Sequence, residues 1–374
     1  MHTTTISIVN PLDKSALKQF VALERKLMKN YPLFISEIDL DVTKLFNKKS
    51  LLFREMEFCL FVARKNGQDI ARCAAIINKK FQKEKQPNAG FIGFFAAAED
   101  CLSEVSEMFQ QAENWLKERG VDKVIAPSNG GAPLSMGVLV AAFDENPMFP
   151  FPWYPKYYQS YIEKLDYEPT YPLWYYTIDF MSAKYQQAKK QYANYQNANI
   201  RPISKKNWDK DIETLTQLLN ATFVEEWEFT TMTNDAMKEF FAPMKPILDA
   251  QQILFAEVNG KVAGFCFALP DLTPLFRTFN GNVGVIEIFK LLTKAKKFQR
   301  AGILGIGVLN EYKGKGIAKA IALKLYEYHE SLGLKNSLYY PVNESNITSR
   351  GFAESIGGEG RLMYQVYSKR LSHS

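Results

Sequence analysis

Histidine is scarce in this 374-residue chain. It has three, and two of them, His2 and His373, fall in stretches that read as loose ends. That argues against histidine-based catalysis and against a histidine-ligated metal. Cysteine is nearly as rare. Cys59, Cys73, Cys101 and Cys266 show no metal-ligand spacing, and Cys59, Cys73 and Cys266 lie within apolar runs, as core residues do. No metal is expected. No apolar run is long enough to cross a bilayer, and the opening MHTTTISIVN lacks a basic stretch followed by a long apolar one, so no signal peptide is expected and the cytoplasm is the expected compartment. The net charge of +6 is mild. It suits an anionic ligand but is far from a nucleic-acid footprint, so no nucleic-acid partner is expected.

Two phosphate-binding signatures are missing as well. A Walker loop needs Lys and Ser/Thr after its last glycine, but Gly316 is followed by Ile317 and Ala318. A dinucleotide fingerprint needs G-x-G-x-x-G, which Gly314, Gly316 and Lys319 break.

What is present is a soluble globular composition, 47% hydrophobic and 23% charged, in a chain too long for one ordinary core. Two domains are expected, over 1–180 and 199–374, joined by the polar, helix-prone linker 181–198. In the first half, 5–9 reads as a strand and 11–27 as a helix. Residues 58–77 read as a hairpin turning at Asn66-Gly67, 90–98 as a strand, 102–119 as a helix closed by Gly120, and 121–126 as a strand. The second half repeats the order: hairpin 253–268 at Asn259-Gly260, strand 303–308, helix 318–332 closed by Gly333, strand 337–342. Such a repeat implies a tandem duplication of one mixed α/β unit.

The stretch Ile303–Ile321, ILGIGVLNEYKGKGIAKAI, organises the second copy. An apolar strand runs into a glycine-punctuated turn and then a helix start. Glycine lets backbone approach a ligand closely, and the first helical N–H groups have no partner inside the helix, so the arrangement is an anion cradle. The first half has Glu99-Asp100-Cys101 at the equivalent place, and two carboxylates there oppose an anion. Only the second half is expected to hold one.

Lys313, Gly314, Lys315, Gly316, Ile317 and Ala318 resemble the coenzyme A loop Q/R-x-x-G-x-G/A of the Gcn5-related N-acetyltransferase (GNAT) superfamily, with Lys in place of Gln or Arg. The resemblance implies a fold of two tandem GNAT-like domains and acetyl-CoA or a longer acyl-CoA as co-substrate. It implies that the amides Gly314–Ala318 hold the pyrophosphate, that the strand with Gly305, Ile306, Gly307 and Val308 lines the pantetheine arm, and that an amide near Val308 polarises the thioester. Asn346-x-x-Ser349 matches the family's N-x-x-A/S helix opening, with Asn346 reaching coenzyme A, capping the helix, or both. The family's tyrosine acid is replaced by Ala353, which leaves Tyr339, Tyr340 and Tyr364 as candidates. The family's strand-borne Glu falls near Gly302, which is not acidic. Glu226, Glu228 and Asp271 are the candidate bases that would free an amine of its proton. Beyond the loop, stretches including 126–144, 152–158 and 226–229 are similar to the YghO-like N-acetyltransferases, with a departure at Gly130–Pro133.

Acyl transfer from acyl-CoA to the amine of a small molecule is therefore expected. The alternatives are a long-chain acyltransferase acting on a lipid amine, and a coenzyme A-binding module without catalysis. Two aromatic or apolar stretches stay open in role. Residues 146–161 crowd prolines among aromatic rings, either as a loop over the sheet or as a wall of the acceptor pocket. Residues 272–300 carry apolar residues followed by Lys294, Lys296, Lys297 and Arg300, either as a helix covering the domain or as a membrane contact.

Overall fold

The computed structural model describes residues 4–295 and 297–372. His2, His373 and Lys296 lie outside the described residues. The first half runs β1 (Thr4–Val9), α1 (Lys14–Met28), α2 (Asp39–Phe46), β2 (Glu57–Lys65), β3 (Gln68–Ile77), α3 (Lys79–Glu84), β4 (Ala89–Ala97), α4 (Leu102–Lys117), β5 (Lys123–Ala126), β6 (Val138–Leu139), α5 (Tyr157–Lys164) and β7 (Glu168–Asp179). Helix α6 (Ala183–Tyr192) links it to β8 (Asn199–Pro202), α7 (Trp208–Thr222), α8 (Asn234–Phe241), β9 (Ile253–Val258) and β10 (Lys261–Pro270). Then follow α9 (Thr273–Phe279), α10 (Val285–Lys294), β11 (Ala301–Val308), α11 (Ile317–Ser331), β12 (Asn336–Asn343), α12 (Ile347–Ser355) and β13 (Gly358–Arg370).

Local chemistry accounts for the element ends. Asp13 caps α1 by accepting from the amides of Ser15 and Ala16. Both hairpins turn through left-handed Asn-Gly pairs (φ 51° and 79° at Asn66-Gly67, 50° and 76° at Asn259-Gly260). That is the turn whose twist matches paired strands.

One mixed sheet crosses the whole molecule in the order β1-β2-β3-β4-β5-β13-β7-β12-β11-β10-β9-β8, with β6 beside β13. The repeat is visible in register. Strands β4 and β11 both open Ala-Gly, and Gly90 pairs with Val124 as Gly302 pairs with Leu338. Their parallel partners share a Pro-x-Asn: β12 ends in Pro341–Asn343, and β5 runs on into Pro127–Asn129 just beyond its last residue. The last strand of each copy is exchanged. Strand β7, from the first half of the chain, pairs with β12, and β13, from the end of the chain, pairs with β5. The two exchanged strands pair with each other along most of their length. One apolar cluster fills the first half and reaches Tyr340 and Met363. Two others lie in the second half, one under α11 and one under α7 and α8.

Candidate active site

Each copy contains a pair of parallel strands that touch at one end and then diverge. In the first half, β4 and β5 pair only from Ala89 to Phe91. The gap beyond is filled by the chain itself: the Ser128 amide donates to the Ile92 carbonyl (2.9 Å) and the Phe94 amide to Asn129 Oδ1 (2.7 Å). A Cβ on Gly93 would stand 2.2 Å from the Ser128 carbonyl oxygen, so this closure requires glycine.

In the second half, β11 and β12 pair only at Gly302 and Ile303. From Leu304 onward, no strand among the described residues is paired to the β12-facing edge of β11. The β10 register shifts opposite Leu304, which bulges. Asn343, the counterpart of Asn129, does not close the gap. Its Oδ1 accepts from the amide and hydroxyl of Ser345 (2.9 and 2.7 Å), and its buried Nδ2 has no partner.

At the far end of β11 the chain turns through Lys313, Gly314, Lys315 and Gly316 into α11. Both glycines are left-handed (φ 78°), and no side chain caps the helix. The first amides of α11 therefore remain free at the mouth of the gap. Lys313, Gly314 and Lys315 are exposed, Ile317 is buried and Ala318 half-buried. Ile306 and Val308 pack toward α11, whereas Gly307 lies against Thr222, whose Oγ1 would be 2.3 Å from an added Cβ. The linker supports the loop from behind: the Tyr195 hydroxyl donates to the Lys315 carbonyl (2.9 Å), and a Cβ on Gly316 would lie 2.8 Å from the Tyr192 hydroxyl.

The carboxylates separate into two settings. Glu226 accepts from Asn346 Nδ2, and Asn346 in turn caps α12 through the Ser349 amide (2.8 Å). Ser349 Oγ meets the Tyr339 hydroxyl. Glu228, two residues on, has a buried oxygen without a partner. Burial first, and the nearby Glu226 charge second, push its carboxyl up to about 7. Asp271 is different. It pairs with Arg300 (2.7 Å) and accepts from the Thr273 amide (2.9 Å), so it latches the two ends of the 271–300 excursion.

Of the three tyrosines, Tyr364 donates to the Pro152 carbonyl (2.7 Å) and Tyr339 is engaged by Ser349. Tyr340 is buried, stacked on Tyr175 (4.4 Å between ring centres), and its hydroxyl has no partner. Burial holds its proton well beyond the ordinary phenol range. Its ring lies across Gly302, where the two strands begin to part, and an added Cβ there would come within 2.4 Å of the ring. The glycine at the family's acidic position thus makes room for the tyrosine.

Among the described residues, eleven buried side-chain polar atoms lack a hydrogen bond. Six of them, on Trp174, Tyr175, Trp227, Glu228, Tyr340 and Asn343, belong to β7, β12 and the adjoining loop. Buried polar atoms are normally paired, so these stand out, and they fall on both faces of the sheet: Trp174 on the side of α11, Tyr175 and Tyr340 on the side of the first-half core. Sequence reading missed Trp174, Tyr175 and Asn343. The repeated Pro-x-Asn was the signal for the last of them.

The aromatic stretch 146–161 lies over this end of the sheet, with Phe151 against Tyr340 (5.2 Å) and Phe149 stacked on Phe276 of α9 (4.2 Å). A cavity in the first half, lined by Glu24, Glu37, Arg72, Ser135 and Phe149 among others, shares Phe151 with it. Arg72 there is held by the Phe20 and Val21 carbonyls (2.8 Å each) and by Glu24 (2.9 Å). The third histidine, His329, is a buried core residue between Ser337 and Gln252 (3.0 Å each), pulled down to about 4 by burial. Among the described residues, no group of three or more His, Cys, Asp or Glu side chains is arranged to hold a metal.

Comparison with known proteins agrees with this architecture. Residues 212–357 match the acetyltransferase (GNAT) family. The chain is 27% identical over 378 aligned residues to a bacterial ceramide synthase of Caulobacter vibrioides, covering 98% of each, and 23% identical to the protein YghO of Escherichia coli, covering 96% of this chain and 94% of that one. Among solved structures it superposes along its full length, and that of the other chain, on a tandem GNAT protein from the clavulanic acid biosynthesis pathway (TM-score 0.59, 9% identity). Residues 212–357 thus resemble a GNAT domain, the whole chain is similar to YghO and to a tandem GNAT protein, and together the matches support an N-acyltransferase of tandem GNAT architecture.

Proposed function

We propose that this chain moves an acyl group from acyl-CoA to the amine of a lipid by direct attack in a ternary complex. The carrying observation is the contrast between the two gaps. One is closed by the chain's own Ser128 and Asn129, and the other is open, with the unpaired Asn343 Nδ2 beside it and free helix amides at its mouth.

The pyrophosphate would rest on the amides Gly314–Ala318, with Lys313 and Lys315 adding charge. Pantetheine would run between β11 and β12, meeting Asn343 Nδ2 and Asn346. That path brings the thioester to the bulge at Leu304, four residues earlier than Val308, where free backbone amides can polarise its carbonyl. Glu228 would take the proton from the incoming ammonium. The amine nitrogen then forms the C–N bond as the C–S bond breaks, and the second proton that the nitrogen sheds ends on the coenzyme A thiolate, giving the free thiol. Tyr340, kept protonated by burial, would donate a hydrogen bond to the departing thiolate.

Two features favour a lipid acceptor over a small polar amine. A relative spanning the whole chain is named for ceramide, an amide of a long-chain amino alcohol. The acyl end of the path also meets an aromatic wall, formed by Tyr175, Tyr340, Phe149, Phe151 and Phe276. The test is release of free coenzyme A thiol with acetyl-CoA and palmitoyl-CoA, each with a long-chain amino alcohol and with a short polar amine. Faster release with the long-chain amine, together with the amide product, is expected. Turnover confined to short polar amines would overturn the lipid reading and keep the acyltransferase.

A further inference from the structure

Helix α10 is turned inside out relative to an ordinary surface helix. Val285, Ile288, Phe289 and Leu292 fall at the i, i+3, i+4, i+7 spacing that normally faces a core. Here they are exposed, at 85%, 49%, 66% and 50%, with Ile286 beside them at 66%. No residue of the helix is buried. Glu287, Lys290 and Lys294 occupy the other side. Isolated exposed apolar residues are common, but five together on one short helix mark a contact surface.

The charge around it says what kind. Residues 272–300 hold six basic side chains and one acid, so this segment carries five of the chain's six net positive charges. Its one acid, Glu287, is occupied by the Gly284 amide (3.1 Å) and lies 3.8 Å from Lys290. An apolar ridge backed by Lys290 and Lys294 and followed by exposed Lys297, whose stems can lie along apolar surface while their heads reach phosphates, fits an anionic bilayer. The segment is also firmly attached to the site. It leaves the sheet between β10 and β11, is tied at its base by Asp271 and Arg300, and packs through Phe276 on Phe149.

We propose that α10 docks this protein on anionic membranes, with Val285, Ile288, Phe289 and Leu292 entering the interface. The docking stands on the helix and its charge. It rests on the acyltransferase reading only for its consequence, that a bilayer-borne amine is delivered beside β11.

The test is co-sedimentation of the full chain with phosphatidylcholine vesicles and with vesicles containing a quarter phosphatidylglycerol. The chain, Val285→Asp/Phe289→Asp and Lys294→Glu/Lys297→Glu are compared, with thermal melting in coenzyme A as a control. Expected are binding to the anionic vesicles that weakens with salt, at least tenfold loss in each variant, and an unchanged coenzyme A response. Equal binding by the variants, or no binding by the parent chain, would overturn the proposal. So would a dimer that Phe289→Asp dissolves, since a second copy would then be the occupant. Loss of the coenzyme A response in the parent chain would instead strike the acyltransferase reading.

Discussion

Replacing Glu228 by Gln separates function from stability in a way that few substitutions do. The carboxyl stands at about 7 in the folded protein against an ordinary 4.5. Between these values the folded protein keeps a proton that the unfolded chain gives up. Stability therefore falls as pH rises through that window and levels off above it. At 1.36 kcal/mol per pH unit the full cost is roughly 3 kcal/mol. The residue is half-buried, and solvent screening trims this to about 1–3 kcal/mol. Glutamine escapes the cost. The variant should melt higher than the parent at pH 8, by about 1–4 °C, and at nearly the same temperature at pH 4.5. Its turnover should drop by about 10²–10⁴, the usual worth of a general base. The parent's turnover should itself fall as pH drops below about 7. Melting at the two pH values and a thiol-release rate are sufficient. A variant of full activity would remove Glu228 from the chemistry, and one less stable at pH 8 would refute the electrostatic reasoning.

Other outcomes follow from the same geometry. Lys313→Glu/Lys315→Glu should weaken coenzyme A binding at least tenfold without moving the unliganded melting point, because both side chains are exposed. It is a cleaner probe than Gly316→Glu, whose side chain would also strike Tyr192. Tyr340→Phe removes a hydroxyl with no partner, so melting should hold or rise slightly while turnover falls about tenfold or more; unchanged turnover would exclude it as a donor to the thiolate. Calorimetric titration with coenzyme A should give one site per chain. A second would contradict the closure of the first gap by Ser128 and Asn129. Arg300→Ala strands buried Asp271 without its partner and should cost about 3 kcal/mol, read as a lower melting point.

Much of this fold was legible because its signals are local. Asn-Gly turns, glycine-closed helices and alternating apolar runs each act within a few residues, and the two halves repeat them in order. The strand, glycine turn and helix start around Gly314 and Gly316 were legible for the same reason. What stayed hidden depends on pairing across long stretches of chain. Nothing near Asn129 or Asn343 says that one seals a gap and the other leaves a donor free, since the difference lies in how Phe94 and Ser345 approach them. Asp271 and Glu228 look alike in sequence as acids near strand ends or helix ends. Only the arrival of Arg300 beside one, and burial next to Glu226 for the other, gives them opposite characters. The aromatic stretch 146–161 read equally as cover and as wall, and in the fold Phe151 spans the first-half cavity and Tyr340.

The exchange of β7 and β13 bears on the order in which a ribosome delivers this chain. When residues 1–180 have emerged, β5 has an open edge, and β7 has neither of its eventual neighbours. Both must wait, β7 for β12 and β5 for the final strand, 358–370. Exposed edges of that kind invite pairing with other chains. A nascent chain stalled before residue 358 should therefore be prone to aggregate however well its first hairpins have formed. Neither half, expressed by itself, should yield a finished domain.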